Sequence, residues 1–361
     1  RWSSDGATPT ADPASLRERL GDLRHAITLV DDDGAVALAR GGRSIFGDGA
    51  VDGTLQIAAF APDIRVENLG DPRFCNDHGL KYAYVTGAMA NGIASEEIVI
   101  AMANAGMLGF FGSAGLRPER VTAAIDKLQG ELGDKPYGFN LIHSPNEPEL
   151  EMEIVDLYVS RGIKLVEASA YLALTLPVVR YRVHGIHRDA EGNIVTPNKI
   201  VAKVSRTEVA TRFLSPPPEK FLTQLVAAGH ITADQAEMAK EIPMAQDLTA
   251  EADSGGHTDN RPAIALLPTL ISLRDRIQAE FNYPNPIRVG AAGGISTPIS
   301  AAAAFAMGVA FIVTGSVNQA CVESGSSDKV RQLLAEAGQA DIAMAPAADM
   351  SNETLPLSAR D

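Results

Sequence analysis

From about residue 81 onward the chain alternates, with an even period, between short apolar segments and longer amphipathic ones. No other feature limits the available folds so strongly. The first unit is YAYVTGAM followed by SEEIVIAMANAG, where Ser95 is placed to cap a helix, Glu96 lies in its first turn and apolar residues recur at helical spacing. MLGFFGSAGL then leads into RPERVTAAIDKLQGEL, with Pro118 in the first turn. PYGFNLIH precedes PELEMEIVDLYVSRG, KLVEASAYL precedes TLPVVRYRVHGI, and IVAKVSR precedes TEVATRFL and the further helix EKFLTQLVAAG. LTAEADSGGH with LLPTLISLRDRIQAEF, IRVGAAGGI with TPISAAAAFAMG, and AFIVTGSVNQ with SSDKVRQLLAEAG complete the series. Eight strand and helix pairs in about 260 residues match the size and period of an α/β fold of the (β/α)8 TIM barrel type, assigned to residues 69–350. A doubly wound sheet seldom needs eight successive units of such even length.

Ahead of the barrel, residues 16–68 hold the helical pattern LRERLGDLRHAI and the alternating stretches TLVDDDGAVALAR and TLQIAAF, separated by turn signals. They read as a small β-rich N-terminal module. Residues 1–15, RWSSDGATPTADPAS, read as a disordered lead-in and residues 351–361 as a tail. The lead-in lacks an initiator Met and the order of a signal peptide, so a piece of a longer polypeptide is expected. A hydrophobic share of 45% with 21% charged residues is that of a soluble globular enzyme. A net charge of −14, with no Lys/Arg run, argues against a nucleic-acid partner. Cys75 and Cys321 are too few and too far apart for a disulfide framework or a cysteine metal site. Both read as buried small hydrophobes, and a reducing cytoplasm is the simplest setting. No apolar run reaches the roughly 18 residues of a membrane span. SAAAAFAMGVAFIVTG is broken by Gly308 and reads as a buried helix followed by a strand.

Barrels of this type carry their chemistry at the C-terminal ends of the strands. Strand 7 ends in GAAGGIST and strand 8 in VTGSVN, so Gly293, Gly294, Gly315 and Ser316 can offer backbone N–H groups to a phosphate, although glycines there also serve tight turns. Gly87, Ala88 and Met89 give strand 1 a small-residue floor, and Asn140 adds an amide after strand 3. These ends fit a flat, phosphorylated cofactor. Lys203, ending strand 5, either stabilises the negative charge that a reduced isoalloxazine develops or pairs with Glu167 or Glu251. His257 directly follows Gly255 and Gly256. It is either a plain turn residue or a ring held against a flat ligand that needs bare backbone beside it.

The stretches VTGAMANGIASEEIVIAMANAGMLGFFG, PYGFNLIHSPNEPELE, AKVSRTEVATRFLSPPPEK, LTAEADSGGHTDNRP and VGAAGGISTPISAAAAFAMGVAFIVTGSVNQACVESG resemble the trans-acting enoyl reductases of bacterial polyunsaturated fatty acid and trans-acyltransferase polyketide synthases. The likeness runs from about residue 70 to residue 350, and it extends to the wider group of FMN-containing barrel enoyl reductases and nitronate monooxygenases. It implies FMN, a nicotinamide reductant and a histidine in the Gly-Gly-His stretch, and the leading expectation is an enzyme that oxidises NADPH and acts on an enoyl substrate held by an acyl carrier protein within a synthase assembly. That histidine is His257, with Gly255 and Gly256 bringing backbone to the flavin. It would act as oxyanion donor to the thioester enolate or as the acid that protonates the α-carbon. A homodimer is expected from the prevalence of two-fold assemblies. The family continues beyond APAADM with a largely helical region, whereas here Met350 is followed by SNETLPLSARD, so a truncated C-terminal helical region is expected.

Of the other histidines, His143 follows strand 3 at the mouth, His184 and His187 flank a helix end, and His25, His78 and His230 fall in peripheral segments. None has metal-ligand spacing with supporting carboxylates, and no serine occupies a G-x-S-x-G elbow. Asp253 and Asp259 read as turn caps, with orientation of His257 as the other role. Two further functions stay open: a nitronate monooxygenase using oxygen, with His257 as base, and a non-catalytic barrel scaffold.

Overall fold

The computed structural model describes residues 1–47, 51–145, 147–255, 259–338, 341–346 and 354–358. The chain divides into two compact units, Arg1–Leu69 and Gly70–Asp361. In the first, a sheet is built from the strands Trp2–Ser3, Ile27–Asp32, Ala35–Ala39, Arg43–Ser44 and Thr54–Ala61, with a helix over Pro13–Leu20. The lead-in expected to be disordered is therefore ordered. Trp2 pairs with Ser44 and Leu55, is 2% exposed, and donates its indole N–H to the Gly41 carbonyl at 3.0 Å. Burial of a large aromatic body with its polar tip satisfied offsets the entropy of fixing the short strand.

The second unit is a closed barrel of eight parallel strands: β1 (Tyr84–Thr86), β2 (Leu108–Phe111), β3 (Gly138–Ile142), β4 (Leu165–Ser169), β5 (Lys199–Val204), β6 (Asp247–Glu251), β7 (Arg288–Ala292) and β8 (Ile312–Thr314). Each pairs with its sequence neighbours, and β8 closes onto β1 with Val313 opposite Val85. These strands are buried on both faces, which is why they read as apolar runs rather than as alternation; all four residues of β2 are buried. Ser95 caps the helix Glu96–Asn104 by accepting the Ile98 N–H at 3.1 Å, and Pro118 opens the helix Pro118–Leu132, as the sequence pattern predicts.

The N-terminal end of the barrel is closed by the helix Pro72–His78. Phe74 stacks on Phe311 with ring centroids 4.2 Å apart. His78, read from sequence as peripheral, is buried: its Nε2 lies 2.8 Å from Asp247, which also accepts two hydrogen bonds from Arg288. Burial alone would raise the Asp247 carboxyl, but the His78 hydrogen bond and charge and the Arg288 guanidinium hold it well below the usual carboxylate range. Polar groups on this face serve stability, the chemistry of such barrels being at the other end.

Three smaller readings change. The alanine-rich helix Pro298–Ala306 is largely exposed, with only Ala304 buried, because its small side chains supply little apolar area to draw it inward. Cys75 is buried but Cys321 is exposed. The strand Thr354–Ser358, within the expected tail, pairs antiparallel with Ile342–Pro346. Among the described residues no helix is long and apolar enough to cross a membrane, and no group of three or more His, Cys, Asp or Glu side chains could hold a metal ion.

Candidate active site

The loops after β6, β7 and β8 meet at the C-terminal end of the barrel. Gly293 and Gly294 follow β7 with φ of +92° and +70°, a region that L side chains rarely adopt. A Cβ at Gly293 would lie 2.6 Å from the Ala252 carbonyl oxygen, so the chain passes close against the end of β6. At Gly294 and at Gly315 nothing among the described residues lies within 4 Å of where a Cβ would be. Gly315 precedes the short helix Ser316–Gln319. A Cβ on Gly255 would meet Ser316 Oγ at 2.6 Å, so the bare backbone of Gly255 makes room for that hydroxyl.

Gly256 and His257 lie outside the described residues, together with Thr258. The flanks of their loop are tied down. The Asp253 N–H donates to the Arg261 carbonyl at 2.9 Å, and Asp259 accepts Arg206 Nε at 2.9 Å and Nη2 at 2.7 Å, with Ser205 Oγ as a further donor. The Arg206 hydrogen bonds hold the Asp259 carboxyl below its ordinary value. Asp259 is thus an anchor to the end of β5 rather than a turn cap, because a bidentate guanidinium outcompetes local backbone donors.

The floor of the mouth joins β1, β4 and β5. Gly87 is buried, and a Cβ there would meet Val313 Cγ1 at 2.8 Å. The Ala88 N–H donates to Oε2 of Glu167 at 2.9 Å. Glu167 is fully buried, and among the described residues its Oε1 has no hydrogen-bond partner; neither has the buried Oγ of Ser254 after β6. Lys203 Nζ lies 3.7 Å from Glu167 and 3.5 Å from Glu251. The ion pair that the sequence allowed for this lysine is formed. Burial works against its charge, yet the two carboxylates hold the ammonium well above the ordinary lysine value. Asn140 ties β3 to β4: its Nδ2 donates to the Glu167 carbonyl at 3.1 Å and to Ser169 Oγ at 2.9 Å. Met89 belongs to the turn after β1, where its carbonyl accepts the Ala94 N–H at 3.2 Å and packs so close to Gly112 that no Cβ fits there.

Tyr171, Leu172, Lys203, Ser205 and Glu251 line a cleft at the ends of β4, β5 and β6. A larger groove lined by Thr207, Thr211, Thr269 and Arg276 lies in the outer helical layer and not at the strand ends. The open backbone at Gly294 and Gly315 fits a phosphate, and the unpartnered oxygens of Glu167 and Ser254 fit a ligand that brings its own donors. Sequence reasoning used Glu167 only as a partner for Lys203; an acid inside the apolar run LVEAS was the available signal that it faces something polar. Ser254 and Arg206 carried no such signal.

The sequence profile described as nitronate monooxygenase matches residues 75–355. The chain is 50% identical over 292 residues to a polyunsaturated fatty acid synthase component from Thraustochytrium sp., covering 80% of this chain and 20% of that protein. It is 48% identical over 288 residues to the polyketide biosynthesis protein PksE of Bacillus subtilis, covering 80% of this chain and 38% of that one. It therefore spans well under half the length of these relatives. Among solved structures, the enoyl reductase domain of MlnA from the macrolactin biosynthesis cluster of Bacillus amyloliquefaciens superposes with a TM-score of 0.78 at 41% identity, over 81% of this chain and 66% of that one. A family profile covering residues 75–355, on a closed eight-stranded barrel with glycines gathered at the ends of β6 to β8, means that this chain belongs to the nitronate monooxygenase family.

Proposed function

We propose that the chain is the enoyl reductase unit of a polyketide or polyunsaturated fatty acid synthase, an FMN-dependent oxidoreductase that uses NADPH to reduce the α,β-double bond of enoyl thioesters on an acyl carrier protein. The likeness to the MlnA enoyl reductase domain over 81% of the chain is the observation that carries this reading. The barrel mouth supports it. Gly294 and Gly315 leave room for the FMN phosphate, and Gly87 and Ala88 form a floor without bulky side chains. When bound, FMN would pass hydride from the nicotinamide to the β-carbon of the substrate. Glu167 Oε1 would accept a hydrogen bond from the ring system, and Lys203, balanced between two carboxylates, would hold β4, β5 and β6 in register around it. His257 would donate to the thioester oxygen or protonate the α-carbon.

The test separates the half-reactions. Purified protein should release FMN on denaturation and oxidise NADPH with a carrier-bound crotonyl thioester. His257→Ala should still let NADPH bleach the flavin at a near-normal rate, while reoxidation by the enoyl substrate slows on the order of 10²-fold to 10³-fold. Protein without flavin, or equal slowing of both steps, defeats the reading. The family profile also favours nitronate oxidation, with His257 as base. Oxygen uptake with a nitronate, in protein inert toward enoyl thioesters, would establish that activity instead.

A further inference from the structure

His143 follows β3 at the active-site end of the barrel, and its Nδ1 lies 2.9 Å from Oε2 of Glu151, in the first turn of the helix Pro148–Ser160. Glu151 is 4% exposed, and its other oxygen accepts Tyr171 Oη at 2.8 Å and the Thr175 hydroxyl. The Tyr171 ring stacks on the imidazole with centroids 5.5 Å apart and planes at 26°. Burial, reinforced by the Glu151 charge, pushes the Tyr171 phenol well above its ordinary value, so it remains a donor. A carboxylate with three donors on it is fixed in place. Because it can only accept, a ring proton of His143 sits on Nδ1, and in the neutral imidazole Nε2 then presents a lone pair. Among the described residues Nε2 has no hydrogen-bond partner, and the side chain is 22% exposed. Tyr171 also lines the cleft with Lys203 and Glu251, so His143 stacks on a residue of that cleft's wall.

We propose that His143, oriented by Glu151, binds the arm of a carrier-linked thioester, its Nε2 accepting a hydrogen bond from an amide N–H or hydroxyl behind the sulfur. The inference rests on the enoyl reductase reading and adds to it a specificity residue distinct from His257. An outward lone pair selects a donor. A thioester carbonyl offers only acceptors, whereas a pantetheine-type arm carries amide N–H and hydroxyl groups. Holding the imidazole from behind removes most of the rotamer entropy that such a contact would otherwise cost.

Steady-state kinetics with crotonyl-pantetheine and with S-ethyl thiocrotonate, which has no arm donors, make the test. His143→Phe keeps a ring to stack on Tyr171 but loses the acceptor. Its KM for the pantetheine substrate should rise about three- to tenfold, the size of one neutral hydrogen bond, with kcat, flavin reduction by NADPH and the KM for the ethyl thioester unchanged. His143→Gln, which can place an oxygen near the same point, should recover part of the loss. An equal change on both substrates, or none on the pantetheine one, overturns the proposal. Calorimetric titration with pantetheine keeps the two readings apart. Binding that His143→Phe weakens about three- to tenfold supports the dyad even in protein that reduces no enoyl thioester, which would sink only the enoyl reductase reading. Binding that the substitution leaves intact, or no binding to the unaltered protein, sinks the dyad.

Discussion

Alanine at three glycines of the barrel mouth should separate backbone strain from loss of cofactor. At Gly293, φ is +92° and a Cβ would sit 2.6 Å from the Ala252 oxygen. The left-handed conformation costs an L residue about 1–2 kcal/mol, and forcing a methyl against packed atoms about 1–3 kcal/mol more. Gly293→Ala should therefore lose roughly 2–5 kcal/mol, or about 5–20 °C in Tm at some 2–4 °C per kcal/mol for a domain of this size. Gly294, at φ +70° with open space beside it, carries only the first cost. Gly315 carries neither, since its φ is −129° and nothing among the described residues lies within 4 Å of the Cβ position, so Gly315→Ala should leave Tm within about 1–2 °C. The ligand orders them differently. Methyl groups at Gly294 and Gly315 would occupy the proposed phosphate space and weaken FMN by about 1–3 kcal/mol, roughly 5- to 150-fold in Kd, whereas the methyl at Gly293 points at Ala252 and not at the ligand. Thermal unfolding of flavin-free protein and fluorescence titration with FMN read the two effects. If Gly315→Ala matches the unaltered protein in both measurements, the phosphate does not lie there.

Other expectations concern buried charge and assembly. Asp247→Asn should destabilise the barrel by about 3 kcal/mol at neutral pH, near the lower end for breaking a buried pair because Arg288 keeps Asp77 as a partner. The Asp247 carboxyl is depressed below its usual value of 3.8, so its contribution is present above that pH and fades as pH falls toward the folded value; denaturant unfolding should show the variant's deficit shrinking below about pH 4. Lys203→Met should cost about 3–5 kcal/mol by leaving Glu167 buried and uncompensated, and adding Glu167→Gln should restore part of it; a double change as costly as the sum of the singles would deny the coupling. A mass measurement in solution should find the expected homodimer at working concentration, and monomer alone would reject it.

The barrel was legible because the repeats state the same physics locally: a short apolar strand followed by an amphipathic helix, several of them opened by a cap or a proline. What the sequence hid is polar and distant. His78 and Asp247 are 169 residues apart, and no periodicity links a histidine at the end of one short helix to an acid at the start of β6. Trp2 left a fainter trace, as a single indole in a polar lead-in, which is costly to leave in water and needs only one complementary turn to bury it.

At the mouth the division follows the kind of atom that does the work. Backbone features such as the positive φ at Gly293 and Gly294 are visible in sequence because glycine is the residue that adopts them and the consequences are local. Positions that act through charge are not, because the state of Lys203 depends on which carboxylates the closed sheet brings to it, and β4 and β6 lie on either side of β5 only once the barrel forms. The same argument applies to His143: the sequence places an imidazole after β3, but only the helix that follows supplies the acid at residue 151 and only the loop after β4 supplies Tyr171 and Thr175 to hold it. A lone histidine in such a motif is chemically ambiguous until its second nitrogen is assigned, and here that assignment comes from tertiary contacts.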